Sequence, residues 1–98
     1  MAVSLRSAPL DGARVRRSDR VVERVVDGEL VLYDTARHRV HVMNPTAAWI
    51  WRLCDGGHSP AAVVSALVSR YSGVDRATVE ADVGEILARF RVEGLLDE

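Results

Sequence analysis

The side chains here that can do chemistry are few: His38, His41, His58, Cys54, and the charged set Asp82, Glu85 and Arg89. No histidine has a cysteine or carboxylate at metal-ligand spacing, and His38 and His41, three apart on a strand, would face opposite sides. Cys54 is the single cysteine, so neither a Cys/His dyad nor an intramolecular disulfide is supported. Phosphate-cradling glycine loops and nucleophile elbows are missing. Asp82 and Glu85 share a helix face and could pair as carboxylates, but Arg89, four residues after Glu85, makes an ordinary surface ion pair the simpler reading. The expectation is a chain without catalytic residues, metal or cofactor.

Attention therefore moves to the elements that carry these residues. Val40-His41-Val42-Met43 alternates as a half-buried strand does, whereas Ala47, Ile50, Trp51 and Cys54 recur at helical spacing. Between them Asn44 is a preferred N-cap and Pro45 a preferred first helical residue, whose missing N–H would have no partner there anyway. Upstream, residues 21–26 and 29–34 read as two strands joined by Asp27-Gly28, a two-residue hairpin turn. Thr35-Ala36-Arg37 leads into a third strand over 39–43, which leaves that strand with an unpaired edge. Three helices follow. The first runs from Pro45 to about Cys54 and closes on Asp55-Gly56-Gly57; the second opens on Ser59-Pro60 and buries Val63, Val64, Leu67, Val68 and Tyr71. The third, capped by Asp75, carries Val79, Val83, Ile86, Leu87 and Phe90 on one stripe and ends at Gly94. The fold class is α+β: a winged-helix-like arrangement of a three-stranded antiparallel sheet followed by three α-helices.

Bulk properties narrow the function classes. The 98 residues suffice for one domain, 48% hydrophobic, with a net charge of −1 from thirteen basic and fourteen acidic side chains. Such a balance supplies no drive toward nucleic acid or an anionic membrane. Without a signal segment or an apolar run near the ~20 residues of a membrane helix, the expected location is the cytoplasm, with no membrane partner. Residues 1–18 lack periodicity and read as a mobile tail, made locally basic by Arg14, Arg16 and Arg17 with Arg20 just beyond; residues 19–98 form the domain. Trp51 follows the apolar stripe into the core, whereas Trp49 lies off it and is open to a partner contact.

The stretch Met43-Asn44-Pro45-Thr46-Ala47-Ala48-Trp49-Ile50-Trp51, closing on Asp55-Gly56, resembles the signature of the PqqD-like peptide chaperones, or stand-alone RiPP recognition elements. The likeness extends through Gly28 to Asp34, Arg70-Tyr71-Ser72-Gly73-Val74 and Glu93-Gly94-Leu95-Leu96. The chain departs from the family pattern at Met43, usually leucine, at Ala36-Arg37, where glycine is common, and at the inserted Ser72. The resemblance implies a non-catalytic module that binds the leader region of a ribosomally made precursor peptide and passes it to a modifying enzyme, often a radical SAM protein.

On that reading an extended peptide adds to the free edge of the third strand, with alternate side chains entering a groove beside the third helix. Edge pairing is expected from Arg39, Val40, His41, Val42 and Met43. Groove lining is expected from Val83, Ile86, Leu87 and Phe90, with Asp82, Glu85 and Arg89 at the rim. The same edge could pair two copies into a homodimer. The alternative is a winged-helix nucleic-acid-binding or protein-interaction module. Its nucleic-acid form is disfavoured because the second helix is mostly apolar and the third has no basic surplus.

Overall fold

A computed structural model describes residues 14–97. The elements run β1 (Val15–Arg16), β2 (Val21–Val26), β3 (Glu29–Asp34), β4 (Arg39–Met43), α1 (Pro45–Leu53), β5 (Asp55–His58), α2 (Pro60–Arg70) and α3 (Arg76–Val92). The β2-β3-β4 meander and the three helices match the expected α+β class.

Alternation sets the sheet's two faces. Rows such as Glu23–Leu32–His41 and Val25–Leu30–Met43 point toward the helices, while Val22–Tyr33–Val40 and Arg24–Val31–Val42 point away. Leu30 and Leu32 are buried, and Val40 and Val42 stand 62% and 59% exposed on the outer face. The β2–β3 turn takes positive φ at both Asp27 and Gly28, as a two-residue turn matched to strand twist requires.

Caps fix where the helices begin. Asn44 Oδ1 accepts the Ala47 N–H at 2.8 Å, and Ser59 Oγ accepts the Ala62 N–H at 3.2 Å. Asp75 behaves differently: its carboxylate accepts from the Thr78 hydroxyl at 3.1 Å instead of capping the backbone. Beyond α3 the Gly94 N–H bonds to the Arg91 carbonyl and the Leu95 N–H to the Phe90 carbonyl, a Schellman stop that needs positive φ at Gly94. The core joins Leu32, Ile50, Trp51, Val63, Val83 and Leu87, with Trp51 and Phe90 edge-to-face at 5.6 Å between ring centroids. Each such side chain, once buried, contributes about 1.5–3 kcal/mol.

Three expectations need correction. Asp55-Gly56-Gly57 does not cap α1; Cys54 is the C-cap, and the glycines lie in β5, paired antiparallel with β1. The mobile tail falls mostly on residues outside those described, but residues 14–18 are docked. Val15 and Ser18 are buried, the Arg16 carbonyl accepts the Asp97 N–H at 2.8 Å, and Ser18 donates to the Leu95 carbonyl at 2.9 Å. The arginines there are structural ties: Arg14 bonds to the Gly57 carbonyl, Arg16 to Asp97, and Arg17 to the Trp51 and Arg52 carbonyls. Tyr71, expected in the core, is exposed because α2 ends one residue before it.

Candidate functional site

The β4 strand is an edge strand because the sheet order is β2-β3-β4. An antiparallel ladder turns only alternate N–H and C=O groups toward the neighbour, so about half of those on β4 point outward. Among the described residues, no backbone group of 39–43 bonds to any segment but β3. Natural edges are often blunted by charge, and Arg39 is the charged residue here; the next three positions are Val40, His41 and Val42.

Two devices hold α3 beside this edge. On the inner face of β4, His41 Nδ1 lies 2.9 Å from Glu93 Oε1, with side-chain exposures of 15% and 33%. An ionised carboxylate can only accept, so Nδ1 carries the hydrogen of this contact. The ring's Nε2 is buried without a partner. At the β3–β4 turn, Asp34 Oδ1 accepts the backbone N–H groups of Ala36 and Arg37 at 2.9 and 3.2 Å, and Oδ2 meets the Arg37 guanidinium at 3.2 Å. The same guanidinium occupies the space that a Cβ at position 94 would need, so Gly94 lets the turn close against the end of α3. Burial alone would raise the Asp34 carboxyl, but the two N–H groups and Arg37 hold it below the usual aspartate value. His38 adopts φ +56°, the left-handed conformation that lets this turn reverse into β4.

The space between strand and helix is a cleft of about 200 Å³, lined by His41, Val42, Met43, Arg89, Phe90, Glu93 and Leu95. Phe90 and Leu95 make its apolar floor; Arg89 and Glu93 put opposite charges on its rim. Toward the start of α3 a second hollow of about 220 Å³ is lined by Thr46, Leu67, Tyr71, Val74, Val79 and Asp82. The first cleft borders the unpaired strand, whereas the second is lined by helix and loop residues alone.

The expected residues divide accordingly. His41, Val42, Met43, Arg89 and Phe90 come together in the first cleft and Asp82 in the second. Arg39 and Val40 are exposed on the strand. Val83 and Leu87 are wholly buried in the core, Ile86 is half-buried against it, and Glu85 is exposed but lines neither hollow. Sequence reasoning missed Glu93 and Leu95 as lining residues. Glu93 had a signal, four positions beyond Arg89 on the helix; Leu95 follows the Schellman turn and has none.

Cys54 is fully buried, and that burial pushes its thiol up to about 12 despite the nearby Arg17. A thiol so high is not a nucleophile near neutral pH. Among the described residues no three histidine, cysteine or acidic side chains could jointly hold a metal, and no helix is long and apolar enough to cross a membrane. What the arrangement offers chemically is backbone pairing plus shape.

Comparison with known proteins points the same way. Residues 29–96 match the family described as coenzyme PQQ synthesis protein D (PqqD). Among solved structures, TbiB1 in complex with the TbiA(beta) leader peptide is similar at 32% identity and a TM-score of 0.75, over 84% of this chain and 94% of that one. Lasso peptide synthetase B1 complexed with the leader peptide is similar at 29% identity and a TM-score of 0.77, over 88% and 100% of the two chains. No curated protein matches.

Proposed function

The chain belongs to the PqqD family, and from that premise we propose that it binds the leader region of a ribosomally synthesised precursor peptide. The peptide adds as a further strand to β4, with alternate side chains in the clefts beside α3. The single observation that carries this reading is the open β4 edge facing a cleft floored by Phe90 and Leu95. Support comes also from the two similar structures, each of which holds a leader peptide.

In this reading the chain is a non-catalytic chaperone of the cytoplasm. Backbone pairing along Arg39, Val40, His41, Val42 and Met43 gives affinity that depends little on sequence. Phe90, Leu95 and Met43 choose apolar side chains, and Asp82, Arg89 and Glu93 choose charge at the rim. The bound leader is then presented to a modifying enzyme, with radical SAM proteins the first class to try. A micromolar grip, about 8 kcal/mol, allows both capture and release. The homodimer through β4 would compete with the leader for the same edge, so it belongs to the unloaded protein.

The test is an amide NMR titration with peptides encoded by small reading frames next to the gene, with duplex DNA as control. Saturable shifts at residues 39–43 and along 82–95 are expected. Shifts with DNA alone would overturn the reading in favour of a nucleic-acid binder.

A further inference from the structure

A third hollow lies at the hairpin end of the sheet, where β3 begins and α1 and α2 present their last turns. It measures about 300 Å³, and Glu29, Met43, Trp49, Arg52, Arg70 and Tyr71 are among its walls. Two observations set it apart. The Trp49 indole N–H is buried without a hydrogen-bond partner, a costly state for a donor. By contrast Trp51, two residues on, gives its N–H to Glu23 at 2.8 Å. The second observation concerns the arginines. Arg52 and Arg70 meet no carboxylate among the described residues, a state they share with Arg14, Arg20, Arg24, Arg39 and Arg89, but these two converge on one hollow. Arg70 instead lies 4.4 Å over the Trp49 ring and 5.8 Å from that of Tyr71. Positions in the last turns of α1 and α2 suit cations through the helix dipole. That explains why arginines stand there, but not the orphaned indole between them.

We propose that this hollow is a carboxylate subsite that takes an acidic side chain of the bound peptide, with Arg52 and Arg70 supplying charge and Trp49 Nε1 a hydrogen bond. The exposed Arg70 side chain swings aside from the ring to admit it. Glu29 in the wall admits a single negative charge and opposes a dianion such as phosphate. Met43 lines both this hollow and the β4 cleft, so a strand leaving β4 at its Met43 end arrives here. The leader as the source of that side chain rests on the function proposed above; the carboxylate chemistry does not.

The test uses the full chain labelled with ¹⁵N and follows its two indole N–H signals, assigned with Trp49→Phe. N-acetyl-glutamate N-methylamide, a residue as it stands within a chain, is expected to move the Trp49 signal saturably in the roughly millimolar range and to leave Trp51 in place. The glutamine analogue should do nothing. Arg52→Gln and Arg70→Gln should each weaken binding about threefold to tenfold, with the unmoved Trp51 signal reporting that the fold is intact. A silent Trp49 signal, or one moved equally by the glutamine analogue, would overturn the subsite. Tighter binding of free glutamate or of inorganic phosphate would overturn its assignment to a peptide. None of these outcomes touches the β4 reading, because the amides of residues 39–43 are followed separately with the leader peptides.

Discussion

Among the described residues the sheet has two free edges, and they are not equivalent. The β4 edge borders a cleft with Met43, Phe90 and Leu95 in its walls. The β2 edge lies near a larger hollow, about 420 Å³, lined by Arg16, Arg17, Ser18, Asp19, Val21, Glu23, Cys54 and Asp55. In that hollow the charges other than Asp19 are already engaged: Glu23, for one, receives the Trp51 indole N–H at 2.8 Å and meets Arg17 Nε at 3.4 Å. A peptide laid on β2 would find hydrogen bonds but little apolar surface to bury, and backbone bonds alone yield little net free energy in water. An exposed strand therefore becomes a receptor only where a second element stands off from it at side-chain distance. Here that element is α3, held by His41–Glu93 and by Arg37 against Gly94.

The harshest way to break this contrast is to remove α3. Leu87→Asp places an unpaired charge at a fully buried site and should abolish cooperative unfolding in a denaturant melt, since the penalty of several kcal/mol rivals the 5–15 kcal/mol of a whole domain. A folded Leu87→Asp chain that still binds leader would refute the part assigned to α3. The sharper comparison takes one outward-facing N–H from each edge, Val42 on β4 and Val25 on β2, as the alternation of bonded pairs from the Val26–Glu29 closure sets them. Val42→Pro should weaken leader binding by about a hundredfold in calorimetry, whereas Val25→Pro, in protein that circular dichroism reports as folded, should change it by less than about threefold. Equal losses at both edges would erase the distinction.

Weaker perturbations should keep the same polarity. Asp34 braces the β3–β4 turn, and its lowered carboxyl means that its stabilising contribution is complete above the ordinary value of 3.8 and is lost as pH falls through its folded value. Wild-type protein should accordingly lose melting temperature in this acid range faster than Asp34→Asn. Parallel slopes would remove Asp34 from the bracing of β4. Glu93→Ala, which frees His41, should cost about 1 kcal/mol in stability and weaken leader binding several-fold. Smallest is Glu23→Gln on the other side: about 1 kcal/mol of stability or less, with leader affinity unchanged.

Much of this architecture is legible in the residues themselves. Strict alternation in 39–43, the Asp27-Gly28 turn, and the Asn44-Pro45 and Ser59-Pro60 caps each carry a local physical signal, and β2, β3, β4, α1 and α2 start where those signals put them. The β1–β5 pair does not announce itself. A two-residue strand has no period, and Asp55-Gly56-Gly57 has the composition of a helix stop whether or not it also pairs. The site is half legible for a related reason. An apolar stripe on α3 marks what must be covered without saying by what, so Val83 and Leu87, which face the core, read the same as Phe90, which faces both core and cleft. Leu95 enters the cleft only because the chain reverses at Gly94, a tertiary event that no helical periodicity encodes.

The clasp at the chain's beginning has a mechanical consequence. Residues 15–18 lie between β5 on one side and residues 95–97 on the other, through Val15 opposite His58, Arg17 opposite Leu96, and the Asp97 N–H on the Arg16 carbonyl. Both described ends of the polypeptide thus leave from one corner, side by side. A tether attached to either end, such as a fused enzyme, would pull at this zipper and open it one bond at a time, while the anchors that keep α3 beside β4 carry none of the load until the zipper has parted. Strain from a moving neighbour enters at that corner and reaches the β4 cleft only through Leu95, which belongs to both.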